Sequence, residues 1–124
     1  MLGRPSLAAA CIGVLLSTAL AGCSDLAQLE DAVDLAHSGG THEVNVELGD
    51  GDLVTWDWTA GSAIDFNVHT HQGRDVVVHF DVNNPAHGGQ WVAGSAGTYS
   101  LQWTNPGNMT VHLEYDLHTD GKFV

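Results

Sequence analysis

Residues 44–59 read VNVELGDGDLVTWDWT, and this stretch decides the fold class. Valine, leucine and tryptophan alternate with polar residues on both sides of residues 49–52, where glycine and aspartate are typical of a turn. A period of two directs one face of each strand into a core and the other into water. The stretch therefore predicts two half-buried strands of an antiparallel sheet, joined by a turn.

The same alternation continues along the chain. Its further apolar rows are Ile64, Phe66 and Val68; Val76, Val78, Phe80 and Val82; Tyr99, Leu101 and Trp103; and Met109, Val111, Leu113, Tyr115 and Leu117. A weaker strand is expected at residues 90–93, and turn signals separate the rows. About seven short strands of this kind predict an all-β, antiparallel, jelly-roll-like β-sandwich over residues 41–124. Trp56, Trp58 and Trp103 lie on inward registers and are expected in its core.

Helical spacing is found before the predicted sandwich, in residues 24–37. The apolar side chains that share one helical face there are Leu26, Leu29, Val33 and Ala36. The spacing predicts a short helix, ended by the glycines that follow it, within a linker at residues 23–40. This linker is expected to lift the domain off a membrane, with docking on the domain as the alternative.

Residues 1–22 have the features of a secretory signal peptide, with a short cationic start followed by a short apolar run. The run ends in Leu20-Ala21-Gly22-Cys23, which resembles the lipobox of bacterial and archaeal lipoprotein precursors. The resemblance implies that Cys23 is lipidated and becomes the first residue of the mature protein. An ordinary signal peptide with an incidental cysteine, or an uncleaved anchor, is the alternative. We expect a membrane-anchored protein on the extracytoplasmic side.

Acidic residues dominate the chain after the signal peptide. All 15 Asp and Glu residues follow Cys23, against the two basic residues Arg74 and Lys122, which is a net charge of −13 with neutral histidines. Such a chain repels phosphate backbones, which excludes nucleic acid as a partner. It also repels anionic lipid, so the expected membrane contact is the lipid on Cys23. With Cys11 in the signal peptide and Cys23 lipidated, no disulfide or thiolate metal site is expected.

Two stretches resemble the GOLD (Golgi-dynamics) domain, a small β-sandwich. Residues 97–105 read GTYSLQWTN and, with Val111 in a closing strand, are similar to the late signature of that family. Residues 56–71, with Phe66, Val68 and a following Gly73, are similar to its central strands. The resemblance covers most of residues 41–117 and implies a non-catalytic interaction module. This sequence lacks the disulfide and the C-terminal membrane helix of the family's cargo receptors, so no trafficking role is implied.

Histidines in the middle of the chain form a candidate metal site. A three-residue loop at residues 73–75 pairs His69 with His79 and Asn67 with Asp81 on one outward face. Imidazole nitrogens are ligands that zinc, copper and nickel prefer. The candidate metal ligands are His69, His71, His79, Asp81 and, from the following loop, His87. The alternative is a solvent-facing network of hydrogen-bonded polar side chains. A second outward row on the last strand holds His112, Glu114, Asp116 and His118.

No combination of residues typical of an enzyme occurs in the sequence. No serine lies in a nucleophile elbow, and no glycine-rich phosphate loop opens a helix. We therefore expect a lipid-anchored, extracytoplasmic, non-catalytic binding module without a cofactor, with another envelope protein as a candidate partner. The alternative function is an envelope metal-binding protein for zinc or copper.

Overall fold

Seven antiparallel β-strands form most of residues 26–71 and 76–124, the part of the chain that the computed structural model describes. They are β1 (Ala27–Leu35), β2 (Gly40–Leu48), β3 (Leu53–Thr70), β4 (Val76–Val92), β5 (Gly97–Asn105), β6 (Val111–Thr119) and β7 (Lys122–Phe123). The predicted all-β antiparallel class is confirmed. Within these two ranges no helix is long and apolar enough to cross a membrane. The predicted signal peptide, Cys23 and the loop at residues 73–75 lie outside the described residues.

The strands form one nearly closed sheet that folds over on itself. Its order is β1-β6-β3-β5-β2-β7, with β4 paired to β3. β6 pairs with the first part of β3, as far as Ala60, and β5 pairs with the second part, from Asp65 onward. The first layer, as we use the term, consists of β1, β6 and the first part of β3. The second layer consists of β7, β2, β5 and the second part of β3.

The two layers pack face to face around aromatic side chains. Phe66 of the second layer lies 5.8 Å from Trp58 of the first, and Trp103 of the second stacks on Tyr115 of the first at 4.8 Å between ring centroids. Trp56, Trp58 and Trp103 are each at most 3% exposed, which confirms their predicted place in the core. Rings of this size supply much of the apolar area that a small domain buries.

The turn between β2 and β3 forms where the sequence predicts it. The backbone N–H of Gly49 donates to Asp52 Oδ2 at 2.7 Å, and the backbone N–H of Asp52 donates to the carbonyl oxygen of Gly49 at 3.0 Å. Gly51 has a φ of +88°, a left-handed conformation that glycine adopts without the cost a side chain imposes. The two strands and the turn predicted from residues 44–59 are confirmed, but β2 and β3 do not pair with each other, because β5 lies between them in the sheet.

The helix predicted over residues 24–37 is wrong, because β1 occupies residues 27–35 of this segment. β1 pairs with β6 in an unbroken register from Ala27↔Thr119 to Leu35↔Val111. Leu29, Val33 and Leu35 face the core. Apolar residues four apart suit a strand as well as a helix, since four is a multiple of two. Pairing with β6 also provides tertiary support that an isolated three-turn helix lacks.

Two predicted strand ends lie inside longer strands. Gly61 and Ser62 fall within β3, and Asn83, Asn84 and Pro85 fall within β4. The register between the two strands shifts here, with residues 60–63 of β3 opposite Pro85. These residues therefore mark the place where the paired strands β3 and β4 pass from one layer to the other. Seven strands are predicted and seven are described, but they are not the same seven. Four of the predicted strands merge in pairs into β3 and β4, and β1 and β7 are not predicted as strands.

Candidate functional site

The five predicted metal ligands lie in two groups on opposite faces of the sheet. His69 and His71 lie on the outer face of the second layer, where Glu43 contacts His69. His79 pairs with Val68 and contacts core rings, and Asp81 pairs with Phe66. His87 belongs to this inner group, because its ring also contacts that of Phe66. The predicted pairing of His69 with His79 is wrong, and the five side chains do not form one site.

A β-bulge at Val78 separates the two groups. His69 pairs with Val77, whereas the preceding residue of β3, Val68, pairs with His79, so Val78 is the extra residue. A shift of one residue moves every later side chain of a strand to the other face. His79 and Asp81 consequently turn inward. Phe80 and Val82, which the sequence predicts to face the core, turn outward; the exposed apolar side chains of β4 are Val76, Val77, Phe80, Val82 and Val92.

His79 of the inner group lies among aromatic rings. Its ring centroid is 5.0 Å from that of Trp56, 6.1 Å from Phe66 and 5.4 Å from His87. His79 Nε2 is buried and has no hydrogen-bond partner among the described residues. Burial lowers the pKa of His79; the charge of His87 lowers it further, and that of Asp81 opposes the change. His79 is therefore mostly neutral near pH 7, and its half-buried ring packs against rings of the core.

The outer group gains a ligand that the sequence analysis did not name, Glu43. One ring nitrogen of His69, one of His71 and one carboxylate oxygen of Glu43 all lie within 4.8 Å of one another. His69 Nε2 is 3.4 Å from Glu43 Oε2, and the two imidazole rings meet edge to face at 4.9 Å between centroids. Among residues 26–71 and 76–124, these three form the one group of His, Cys, Asp or Glu side chains spaced closely enough to hold a metal ion.

Hydrogen bonds hold both imidazoles of this outer group. His69 Nδ1 donates to Asn67 Oδ1 at 2.7 Å, and Asn67 Nδ2 donates in turn to Gln102 Oε1 at 3.1 Å, which fixes the orientation of the Asn67 amide. His71 Nε2 donates to Ser100 Oγ at 2.6 Å. This direction follows because the single hydroxyl proton of Ser100 is donated to Asn45 Oδ1 at 2.5 Å.

The outer face of the first layer carries a row of carboxylates. Glu30 of β1 pairs with Asp116 of β6, which pairs with Asp57 of β3, so three carboxylates lie side by side across three strands. Like charges directly opposite each other destabilise a sheet. Asp34 and Glu114 lie on the same face. We call these five side chains the acidic face: Glu30, Asp34, Asp57, Glu114 and Asp116. Four of the five, all but Asp34, line an open depression of about 470 Å³.

His112 is bound to two carboxylates of the acidic face. Its Nδ1 lies 2.8 Å from Asp34 Oδ1, and its Nε2 lies 3.3 Å from Glu114 Oε2. The hydrogen bond to Asp34 raises the pKa of His112, and the hydrogen bond to Glu114 acts in the same direction. Near neutral pH this histidine therefore carries positive charge more often than a free imidazole does, and offsets part of the negative charge around it.

Comparison of the sequence with protein-family models and with curated proteins finds no match, and the resemblance to the GOLD domain gains no support from it. Among solved structures, the fold is similar to the crystal structure of Aeromonas hydrophila PliG, a periplasmic lysozyme inhibitor of g-type lysozyme. The TM-score is 0.55 with 16% sequence identity, over 76% of this chain and 85% of that one. At this identity the likeness shows the fold alone.

Proposed function

We propose that this chain is a lipid-anchored, extracytoplasmic, non-catalytic module that binds a protein partner through the acidic face. The observation that carries the proposal is the cross-strand row of Glu30, Asp116 and Asp57. Three adjacent carboxylates cost the sheet stability. A cationic partner offsets this repulsion when it binds, and the excess negative charge steers such a partner toward the face before contact.

The location of the module rests on the N-terminal sequence and on the structural neighbour. Leu20-Ala21-Gly22-Cys23 resembles a lipobox, which supports export and attachment through Cys23. The neighbour is named as a periplasmic inhibitor of an enzyme, which supports an extracytoplasmic site and a protein partner. A g-type lysozyme is accordingly the first partner to test. The two stretches that resemble the GOLD domain agree with an interaction module.

Site-specific photo-cross-linking in the source organism tests the proposal. A photoreactive amino acid replaces Thr59, which is exposed on β3 beside Glu114 of the acidic face. The matched control places the same group at Glu47, which is exposed on the outer face of the second layer. We expect a discrete adduct with a basic protein from position 59 and none from position 47, with the adduct identified by mass spectrometry.

Neutralising the row makes this test specific to charge. In a chain with the Thr59 photoprobe, Asp57→Asn and Asp116→Asn together are expected to remove most of the adduct, because they leave Glu30 as the one charge of the row. Equal adducts from both probe positions, or an adduct that is insensitive to the two substitutions, would show that the acidic face is not the binding surface.

Zinc or copper binding is the alternative function predicted from the sequence. Three of its five predicted ligands lie in the inner group, away from His69 and His71. The observation that still favours a metal site is the convergence of His69 and His71 on Glu43.

A further inference from the structure

We propose that Glu43, His69 and His71 form a site for one divalent transition metal ion, of the zinc and copper class, on the outer face of the second layer. The site is independent of the acidic face, which belongs to the first layer. It also differs from the site predicted from the sequence, since Glu43 takes the place of the three ligands that lie on the other face.

The spacing of the donor atoms fits a small cation. A tetrahedral zinc site with metal–ligand bonds of about 2.0–2.1 Å has ligand atoms about 3.3–3.5 Å apart. His69 Nε2 and Glu43 Oε2 already lie 3.4 Å apart, and the set with His71 spans at most 4.8 Å. Movement of one exposed side chain by about 1 Å brings all three atoms to ligating distance. His71 lies just beyond the end of β3, where such a movement disturbs no strand pairing.

The hydrogen bonds of His69 set its lone pair toward the carboxylate. Because Nδ1 donates its proton to Asn67, the lone pair of the neutral ring is on Nε2, which faces Glu43 Oε2. Two acceptors at this distance repel each other unless a cation lies between them. A second proton on His69 removes this repulsion with His69 and Glu43 alone, whereas a metal ion is bound by His71 as well. The effect of replacing His71 therefore distinguishes a bound metal ion from a proton.

A second shell of hydrogen bonds is in place for both imidazoles. Metal-binding histidines usually donate their other ring N–H to a neighbouring oxygen, which fixes the ring and raises its affinity for the ion. His69 does this through Asn67 and His71 through Ser100. Ser100 is fully buried and is itself held by Asn45, so this support does not depend on a mobile surface side chain.

The donor set determines the kind of metal. Imidazole nitrogen suits zinc and copper, whereas calcium and magnesium prefer all-oxygen sites. Two histidines and one glutamate are a set that zinc uses in proteins, with a fourth position left for water. We therefore expect zinc and copper to bind and calcium and magnesium not to compete at millimolar concentration.

Calorimetric titration of the full-length mature protein in detergent with zinc chloride tests the site. We expect one zinc ion per chain with a dissociation constant of about 10 µM or lower, which also raises the unfolding temperature at about 1 mM zinc. Glu43→Gln and His71→Ala each remove one ligand at an exposed position and are expected to weaken zinc binding at least about tenfold. His112→Ala is the matched control, because it removes an exposed histidine from the first layer.

Copper gives a second readout that does not depend on affinity. The electron paramagnetic resonance spectrum of the 1:1 copper complex is expected to show coupling to two imidazole nitrogens, reduced to one in His71→Ala. Near-ultraviolet circular dichroism of the tryptophans checks that each variant is folded. The proposal is overturned if no zinc binds at about 100 µM, or if Glu43→Gln and His71→Ala bind zinc as tightly as the His112→Ala control.

Discussion

Asn105 ties β1 to the turn between β5 and β6, and its replacement tests whether β1 is an integral part of the fold. The side chain is fully buried. Its Nδ2 donates to the carbonyl oxygen of Leu35 at 3.1 Å and to that of Met109 at 2.7 Å. Its Oδ1 accepts from the backbone N–H of Gly107 at 3.0 Å. One amide therefore satisfies three backbone groups from two parts of the chain.

The magnitude of the effect follows from these three hydrogen bonds. Each contributes about 1 kcal/mol net, and its loss leaves a backbone group without its partner. We expect Asn105→Ala to lower the free energy of unfolding by about 3 kcal/mol. Domains of this size unfold with about 5–15 kcal/mol, so the variant stays folded and its stability is measurable.

An isosteric variant makes the test sharper. Asn105→Asp keeps the shape but turns a carboxylate toward the two carbonyl oxygens that the amide donates to. We expect a loss of at least about 3 kcal/mol at pH 7, because the charge is buried and the donor is gone. The loss should shrink below about pH 4, where a protonated carboxyl can donate one hydrogen bond.

Urea unfolding followed by tryptophan fluorescence measures both variants, because Trp58 and Trp103 are buried beside other rings. Asn108→Ala, at an exposed position of the same turn, is the matched control and is expected to change stability by less than about 0.5 kcal/mol. If the free energies of unfolding of both Asn105 variants lie within about 1 kcal/mol of the native value, the three hydrogen bonds do not hold β1 to the turn.

Two further predictions concern histidines. His79→Phe is expected to raise the free energy of unfolding by about 1 kcal/mol at pH 7, because it removes a buried, unpaired Nε2 from a site beside Trp56. The native protein should also lose stability as the pH falls below 6.5, because the pKa of His79 is lowered in the fold and the unfolded chain binds the proton more readily. Chemical unfolding at pH 7 and pH 5 should therefore show a smaller loss of stability in His79→Phe than in the native protein. An equal loss in both proteins would contradict this explanation. The pKa of His112 is raised in the fold. Its contribution to the stability of the fold is therefore present below about pH 6.5 and is lost as the pH rises through the folded-state pKa. Asp34→Asn removes the main cause and should bring the His112 pKa, measured by NMR titration, back toward 6.5; an unchanged titration would rule out Asp34 as the cause.

The alternation of residue types determines most of the fold, and the predictions that rest on it hold outside β4, where Phe80 and Val82 turn outward. Val44, Val46 and Leu48, and then Val54, Trp56 and Trp58, face inward as predicted on either side of the predicted turn. The prediction for β1 failed because Leu29 and Val33 are spaced by four residues, which fits both a helix and a strand. The sequence around them carries no local signal that decides, whereas pairing with β6 does so in the folded chain.

The candidate site was less predictable, because it depends on register and strand order. His69 and His71 are placed on an outward face as expected, but one extra residue at Val78 turns His79 and Asp81 inward. Residue 78 is a valine and not a glycine or proline, so its type does not indicate a bulge. Glu43 was recognisable as an outward residue of β2, yet its contact with His69 requires β5 to lie between β2 and β3. Such non-local order does not follow from a pattern of period two.

The most direct test of the proposed function is the dissociation constant of the partner that the photo-cross-linking identifies. It is measured at about 50 and 300 mM salt for the native protein, the Asp57→Asn, Asp116→Asn double variant and a Glu47→Gln control. Binding through the acidic face predicts that the double variant binds at least about tenfold more weakly at low salt, that this difference narrows at high salt, and that the control stays within about twofold. Equal affinities for all three proteins at both salt concentrations would contradict it.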